Sequence, residues 1–181
     1  QLQSLLGKIN FLRRFISNLS GKAQPFSPLL RLKKESTFTW GQDQQQAFDE
    51  IKSYLSKPPM LMPPIRNKFM KLYISASDST LGSMLAQEDE NGEERAIYYL
   101  SRVLNDAETR YSSIENLCLC LYFSCMKLKH YIKLVDVFVY SHYDIIKHML
   151  SKPILHSRIG KWALALTEYS LTFPFLLMCC S

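Results

Sequence analysis

The sequence has little glycine and proline, 6 and 8 of its 181 residues, which excludes collagen-like and low-complexity chains. No apolar run approaches the roughly 18 residues that a bilayer-spanning helix needs. No basic stretch followed by an apolar one opens the chain, so no signal peptide is visible. Cysteine is scarce and odd in number: Cys118, Cys120, Cys125, Cys179 and Cys180. An odd count without a secretory leader points to free thiols in a reducing compartment, cytoplasmic or nuclear. Cys118 and Cys125, seven apart, share a helix face, and no His or Cys stands beside them at zinc spacing, so burial is the reading for them.

What is present is ordinary for a globular protein: 47% hydrophobic and 21% charged residues, which excludes a disordered chain. The net charge of +6 is unevenly placed. Residues 1–72 carry +8 and residues 73–181 carry −2. The basic character therefore belongs to the N-terminal part, and an anionic partner, nucleic acid foremost, is expected there. A solvated basic helix face is the alternative.

Periodicity divides the chain. Leu2, Leu5, Leu6, Ile9, Leu12, Ile16 and Leu19 recur at helical spacing, predicting one amphipathic helix that ends at Ser20-Gly21. Its other face carries Lys8, Arg13 and Arg14. Pro25 and Pro28 open a short helical segment through Leu32. Ala47, Phe48, Ile51 and Leu55 predict a further helix, stopped by Pro58-Pro59. Beyond Pro63-Pro64 the period falls to two. Met70, Leu72 and Ile74 predict a first strand, Leu81–Gln87 a second, and alternating Ala96, Tyr98 and Leu100 a third. Asn91-Gly92 predicts the hairpin between the last two. Ile114, Leu117, Cys118, Leu121 and Leu128 predict a long helix. A fourth strand at Leu134–Ser141, helices at Tyr143–Leu150 and Ser157–Tyr169, and a last strand at Ser170–Phe173 complete the pattern. The order implies an α/β (α+β) fold: an N-terminal helical segment, then a mixed sheet in which an antiparallel meander is joined by a crossover helix to a further parallel strand.

Several of these residues form a collinear pattern. Leu6-Gly7, Phe11, Arg13-Arg14-Phe15-Ile16 and Asn18-Leu19-Ser20 resemble the thumb end of reverse transcriptases from gypsy-type LTR retrotransposons. Thr39-Trp40, Gln46-Ala47-Phe48, Leu55, Pro59 and Leu61 are similar to that family's link to ribonuclease H. Ala76-Ser77-Asp78, Gly82, Leu85 and Gln87 resemble its first ribonuclease H hairpin. Tyr98, Ser101-Arg102, Leu104, Ala107-Glu108, Tyr111-Ser112, Glu115, Trp162, Leu166 and Glu168-Tyr169 continue in register. The resemblance implies a thumb/connection segment over residues 1–64, a ribonuclease-H-like domain over 65–172, and a divergent tail over 173–181. It further implies a piece of a longer polyprotein of plant type, which accounts for an opening at Gln1 in mid-helix.

The resemblance also implies a chemistry. Active members use two Mg²⁺ ions held by converging carboxylates, which clamp the attacking and leaving oxygens of an in-line displacement. On the matching positions of this sequence stand Ser75, Leu117 and His142. The expectation is a degenerate site with no catalytic residue, no metal and no cofactor, although active family members use Mg²⁺. The paired aspartates of a polymerase centre occur nowhere in the chain. The implied role is a connection or scaffold contacting an RNA–DNA hybrid or template–primer duplex through Lys8, Arg13, Arg14, Lys22, Lys33 and Lys34, beside the rest of the polyprotein and with no membrane partner. The alternatives are a residual Mg²⁺-dependent ribonuclease H using Asp78, Glu115 and Asp144, and a transposon remnant without function.

Overall fold

The computed structural model describes residues 2–30, 39–57, 59–150 and 157–174. The first helix, α1 (Leu2–Phe11), is shorter than its apolar repeat suggests. A 3-10 turn follows at Arg13–Phe15, then α2 (Leu19–Lys22). The break falls before Ser20-Gly21, which lie within α2. Its cause is local: Asn18 takes a left-handed conformation (φ 48°) and its side chain accepts a hydrogen bond from the Gly21 N–H, so it caps a new helix. A second 3-10 turn (Gln24–Phe26) and α3 (Ser27–Leu30) carry the two prolines at helix starts, where a missing N–H costs nothing. Leu32 and Pro58 lie outside the described residues.

Helix α4 (Gln42–Ser56) presents the expected face, with Ala47 and Ile51 buried. They close on Ile9, Ile16, Leu19 and Phe26 in an apolar cluster that belongs to the helical segment alone. Phe26 is fully buried and stacks on Trp40 at 5.7 Å.

The sheet contains β1 (Met70–Ala76), β2 (Thr80–Glu88), β3 (Glu94–Val103), β4 (Val137–Tyr140) and β5 (Leu171–Thr172), in the order β3-β2-β1-β4-β5. Strands β1 to β3 form the antiparallel meander, while β4 and β5 run parallel to β1. The hairpin between β2 and β3 is a five-residue loop with Gly92 at φ 79°, organised by the Asp89 carboxylate accepting from the Asn91 and Glu93 N–H groups. The even alternation expected of Ala96, Tyr98 and Leu100 is interrupted. Tyr98 pairs with Leu85 and Ala96 with Ala86, so Ile97 is an extra, bulged residue, and it is buried. The fourth and fifth strands are shorter than expected because only their middles find ladder partners.

Helix α5 (Ser113–Lys127) lies across one face of the sheet. It begins with a capping box, Ser112 and Glu115 each accepting the other's N–H. Leu117, Cys118, Leu121 and Cys125 pack with Leu72, Ile74, Leu81 and Leu85. A buried hydroxyl pair, Ser124 donating to Ser83 at 2.8 Å, marks the contact. A short α6 (Lys129–Ile132) leads to β4, and α7 (Ile145–Leu150) and α8 (Arg158–Leu166) pack on α5, with Trp162 stacked on Tyr122 at 6.0 Å. Among the described residues no helix is long and apolar enough to cross a membrane.

One polar side chain fastens the chain leading into the sheet. Gln87 is fully buried; its Oε1 accepts from Ile65 N at 2.7 Å and its Nε2 donates to the carbonyls of Ile65 and Lys68. Replacing it with Leu leaves those backbone groups without partners, at about 1–3 kcal/mol for each group left unsatisfied. Phe26→Ala opens a cavity and is expected to cost about 3–5 kcal/mol. Urea unfolding followed by circular dichroism checks both: each midpoint should fall, and an unchanged midpoint would contradict the packing described.

Candidate functional site

Strand alternation gives β1 two faces. Leu72 and Ile74 face α5, whereas Tyr73 and Ser75 face the opposite side. Register extends this second face across the sheet: Tyr73 lies opposite Met84 and Tyr140, Met84 opposite Tyr99, and Ser75 opposite Gly82. The helical segment lies over part of this face. Ser20 N–H donates to Ser101 Oγ at 3.0 Å and Ser79 Oγ to Gln24 Oε1 at 3.4 Å. Between them is a cavity of about 530 Å³, roofed by Ser17 and Asn18 and lined below by Tyr73, Ser75, Gly82, Met84, Tyr99, Tyr140, Ser141 and His142.

The cavity gathers two of the three positions that the family resemblance singled out. Ser75 and His142 are both exposed and both line it. Leu117 does not join them. It is buried in α5 on the other side of the sheet.

None of the acids among the described residues lines the cavity. Asp78 is exposed in the bend after β1. Glu115 caps α5, and its hydrogen bonds from Ser112 hold its carboxyl below the usual value. Asp144 immediately precedes α7, its carbonyl receiving the His148 N–H at 3.4 Å. Glu108 is buried against Arg102 in a two-pronged pair of 2.6 and 2.8 Å, which lowers its pKa. Glu88 and Glu94 both hold Lys71, at 2.8 and 2.9 Å, and Glu94 also accepts from the Tyr73 hydroxyl. The paired glutamates push the Lys71 pKa up, and burial with the Glu94 hydrogen bond pushes Tyr73 up to about 12.

Mg²⁺ requires converging oxygen ligands, carboxylates foremost. Among the described residues no three His, Cys, Asp or Glu side chains come together to hold a metal, and no carboxylate lines the cavity. The described residues do not fit a two-metal centre. The cysteines are not an alternative chemistry. Burial pushes Cys118 and Cys125 up to about 12 and Cys120 up to about 11, leaving inert thiols.

The basic residues do not share the single helix face that their spacing suggested, because the chain breaks after Phe11. Lys8 lies on α1, Arg13 and Arg14 lie in the following turn, and all three are exposed. Arg14 lies 4.7 Å over the Phe15 ring, and Lys22 5.6 Å over Tyr54. Lys33 and Lys34 lie outside the described residues. Sequence reasoning missed the aromatic lining. The signal was Tyr73, in phase with Ser75, but its partners Tyr99 and Tyr140 become neighbours only through strand register.

A mixed sheet in the order β3-β2-β1-β4-β5 with a crossover helix on one face defines a ribonuclease-H-like protein. Residues 40–139 match the family described as an RNase H-like domain found in reverse transcriptase, and the chain belongs to that family. The Pol polyprotein of transposon 297 from Drosophila melanogaster is 28% identical over 97% of this chain, which spans only 16% of that relative. The fold is similar to a foamy viral protease-reverse transcriptase in complex with dsDNA (TM-score 0.78, 21% identity, 99% of this chain and 38% of the other). It is also similar to that type of enzyme in complex with an RNA/DNA hybrid (TM-score 0.76, 22% identity, 99% and 26%).

The Glu108 pair generates a pH dependence. A carboxyl with a lowered folded pKa contributes stability above its ordinary value of 4.5 and loses it as the pH falls through the folded value. The Glu108→Gln variant is expected to be about 1–3 kcal/mol less stable at neutral pH, with the difference shrinking on acidification below 4.5. Urea midpoints measured across that range check it; a difference that stays constant with pH would contradict the pair.

Proposed function

We propose that this chain is a piece of a retrotransposon polyprotein whose ribonuclease-H-like domain contacts an RNA–DNA hybrid without cutting it. The observation that carries this reading is the cavity over β1: at Ser75 and His142 it offers a hydroxyl and an imidazole, and no carboxylate among the described residues lines it. Among the described residues, two-metal hydrolysis has no ligand set there. The solved relatives in complex with dsDNA and with an RNA/DNA hybrid support nucleic acid as the partner. The exposed cations Lys8, Arg13 and Arg14, with Lys22, Lys33 and Lys34, are the proposed phosphate contacts.

The division proposed is a helical thumb/connection segment over 1–64, the ribonuclease-H-like domain over 65–172 and a divergent tail over 173–181. Separate apolar clusters in the two larger parts support it. The proposed gypsy-type lineage rests on the motifs around Arg13-Arg14-Phe15 and Ala76-Ser77-Asp78, and the plant type on the family resemblance alone. A reducing compartment agrees with three buried, unpaired cysteines.

The test incubates the full chain with an RNA–DNA hybrid and Mg²⁺. The hybrid is expected to remain whole; metal-dependent fragments that disappear on Asp78→Asn would overturn the reading. Hybrid affinity should fall steeply with salt, and replacing Arg13 and Arg14 by Gln should lower the salt slope by about 1 for each phosphate no longer neutralised. A slope unaffected by both replacements would remove the basic face from the proposal.

A further inference from the structure

The cavity has a chemistry of its own. Its volume of about 530 Å³ falls within the range of roughly 300–1,000 Å³ usual for small-molecule sites. Among its described lining residues there is no Lys, Arg, Asp or Glu. Lys71, a cation on the same sheet face, is held by Glu88 and Glu94. Neither a phosphate nor a divalent cation therefore finds a partner inside. What the walls do offer is aromatic surface and neutral hydrogen-bonding groups. Tyr73 and Tyr140 stack on each other with centroids 4.9 Å apart, and Tyr99 lines the cavity from β3. Ser75 and His142 supply a hydroxyl and an imidazole at exposed positions. Gly82 leaves the floor open, since a Cβ added there would meet nothing within 4 Å.

We propose that this cavity binds an uncharged planar heterocycle, a nucleobase, which stacks on the tyrosines and hydrogen-bonds to Ser75 and His142. The inference deepens the reading above and rests on it for the source of the base: an unpaired nucleotide of the hybrid. Base stacking on aromatic side chains tolerates any sequence, because every base presents a π-face. The charged backbone stays outside, on the exposed cations of the helical segment.

The test uses 2-aminopurine, whose fluorescence is quenched by stacking, in two arms: the free riboside, and a hybrid with a single unpaired 2-aminopurine. Quenching in either arm supports the site, and comparison of the arms distinguishes a free nucleoside from a base on a strand. Two variants probe the cavity. Gly82→Leu starts from a Cβ that meets nothing within 4 Å and extends a side chain into the cavity, and Tyr99→Ala removes a stacking wall. Each is expected to weaken 2-aminopurine binding tenfold or more, with the urea midpoint of Gly82→Leu near that of the parent chain. Absence of quenching in both arms, or affinities within twofold of the parent in both variants, overturns the proposal. Retention of a fully paired hybrid, measured alongside, separates the two readings: if it persists while quenching is absent, the pocket fails and the hybrid contact stands.

Discussion

The two-residue period of β1, pinned on both sides by paired strands, is the constraint from which the rest follows. With β2 antiparallel on one side and β4 parallel on the other, β1 cannot slip by a residue without exchanging its faces. Leu72 and Ile74 are thereby committed to α5, and Tyr73 and Ser75 to the opposite face. The apolar side draws α5 across the sheet and brings α7 and α8 down upon α5. The other side stays half-covered, and the helical segment spans it without filling it, which leaves the cavity.

Polar groups reinforce the same arrangement. Gln87 ties the chain before β1 to β2, the Ser83–Ser124 hydroxyl pair registers α5 on β2, and the Arg102–Glu108 pair anchors the loop after β3. Each of these groups is satisfied where it is buried, as interiors require. The consequence reaches the candidate site. Glu88, Glu94, Glu108 and Glu115 have structural partners, so acids that look numerous in the sequence are not gathered around Ser75. Among the described residues, the cavity over Tyr73 and Ser75 is lined by aromatic and uncharged side chains instead.

Helical periodicity identified α4 and α5, and alternation with the Asn91-Gly92 signal identified the meander, because each depends on neighbours within one element. The break after Phe11 was not legible, since the leucine repeat runs through it and a single left-handed Asn18 resets the helix. Nor was the bulge at Ile97, whose extra residue is defined only against β2. The positions Ser75, Leu117 and His142 could be placed by resemblance, but not their separation: two share a cavity and one is buried beneath the sheet.

The sequence by itself determined the fold class and the split of charge between the N-terminal part and the remainder, because composition and period are properties of the chain alone; Ser75, Leu117 and His142 are singled out only by the family resemblance. Only the tertiary structure decided that Tyr73, Tyr99 and Tyr140 meet over one cavity and that Lys71 and Arg102 hold Glu88, Glu94 and Glu108. The reason is physical: those neighbours come from separate strands, and strand register, imposed by burial of the opposite face, is what brings them together.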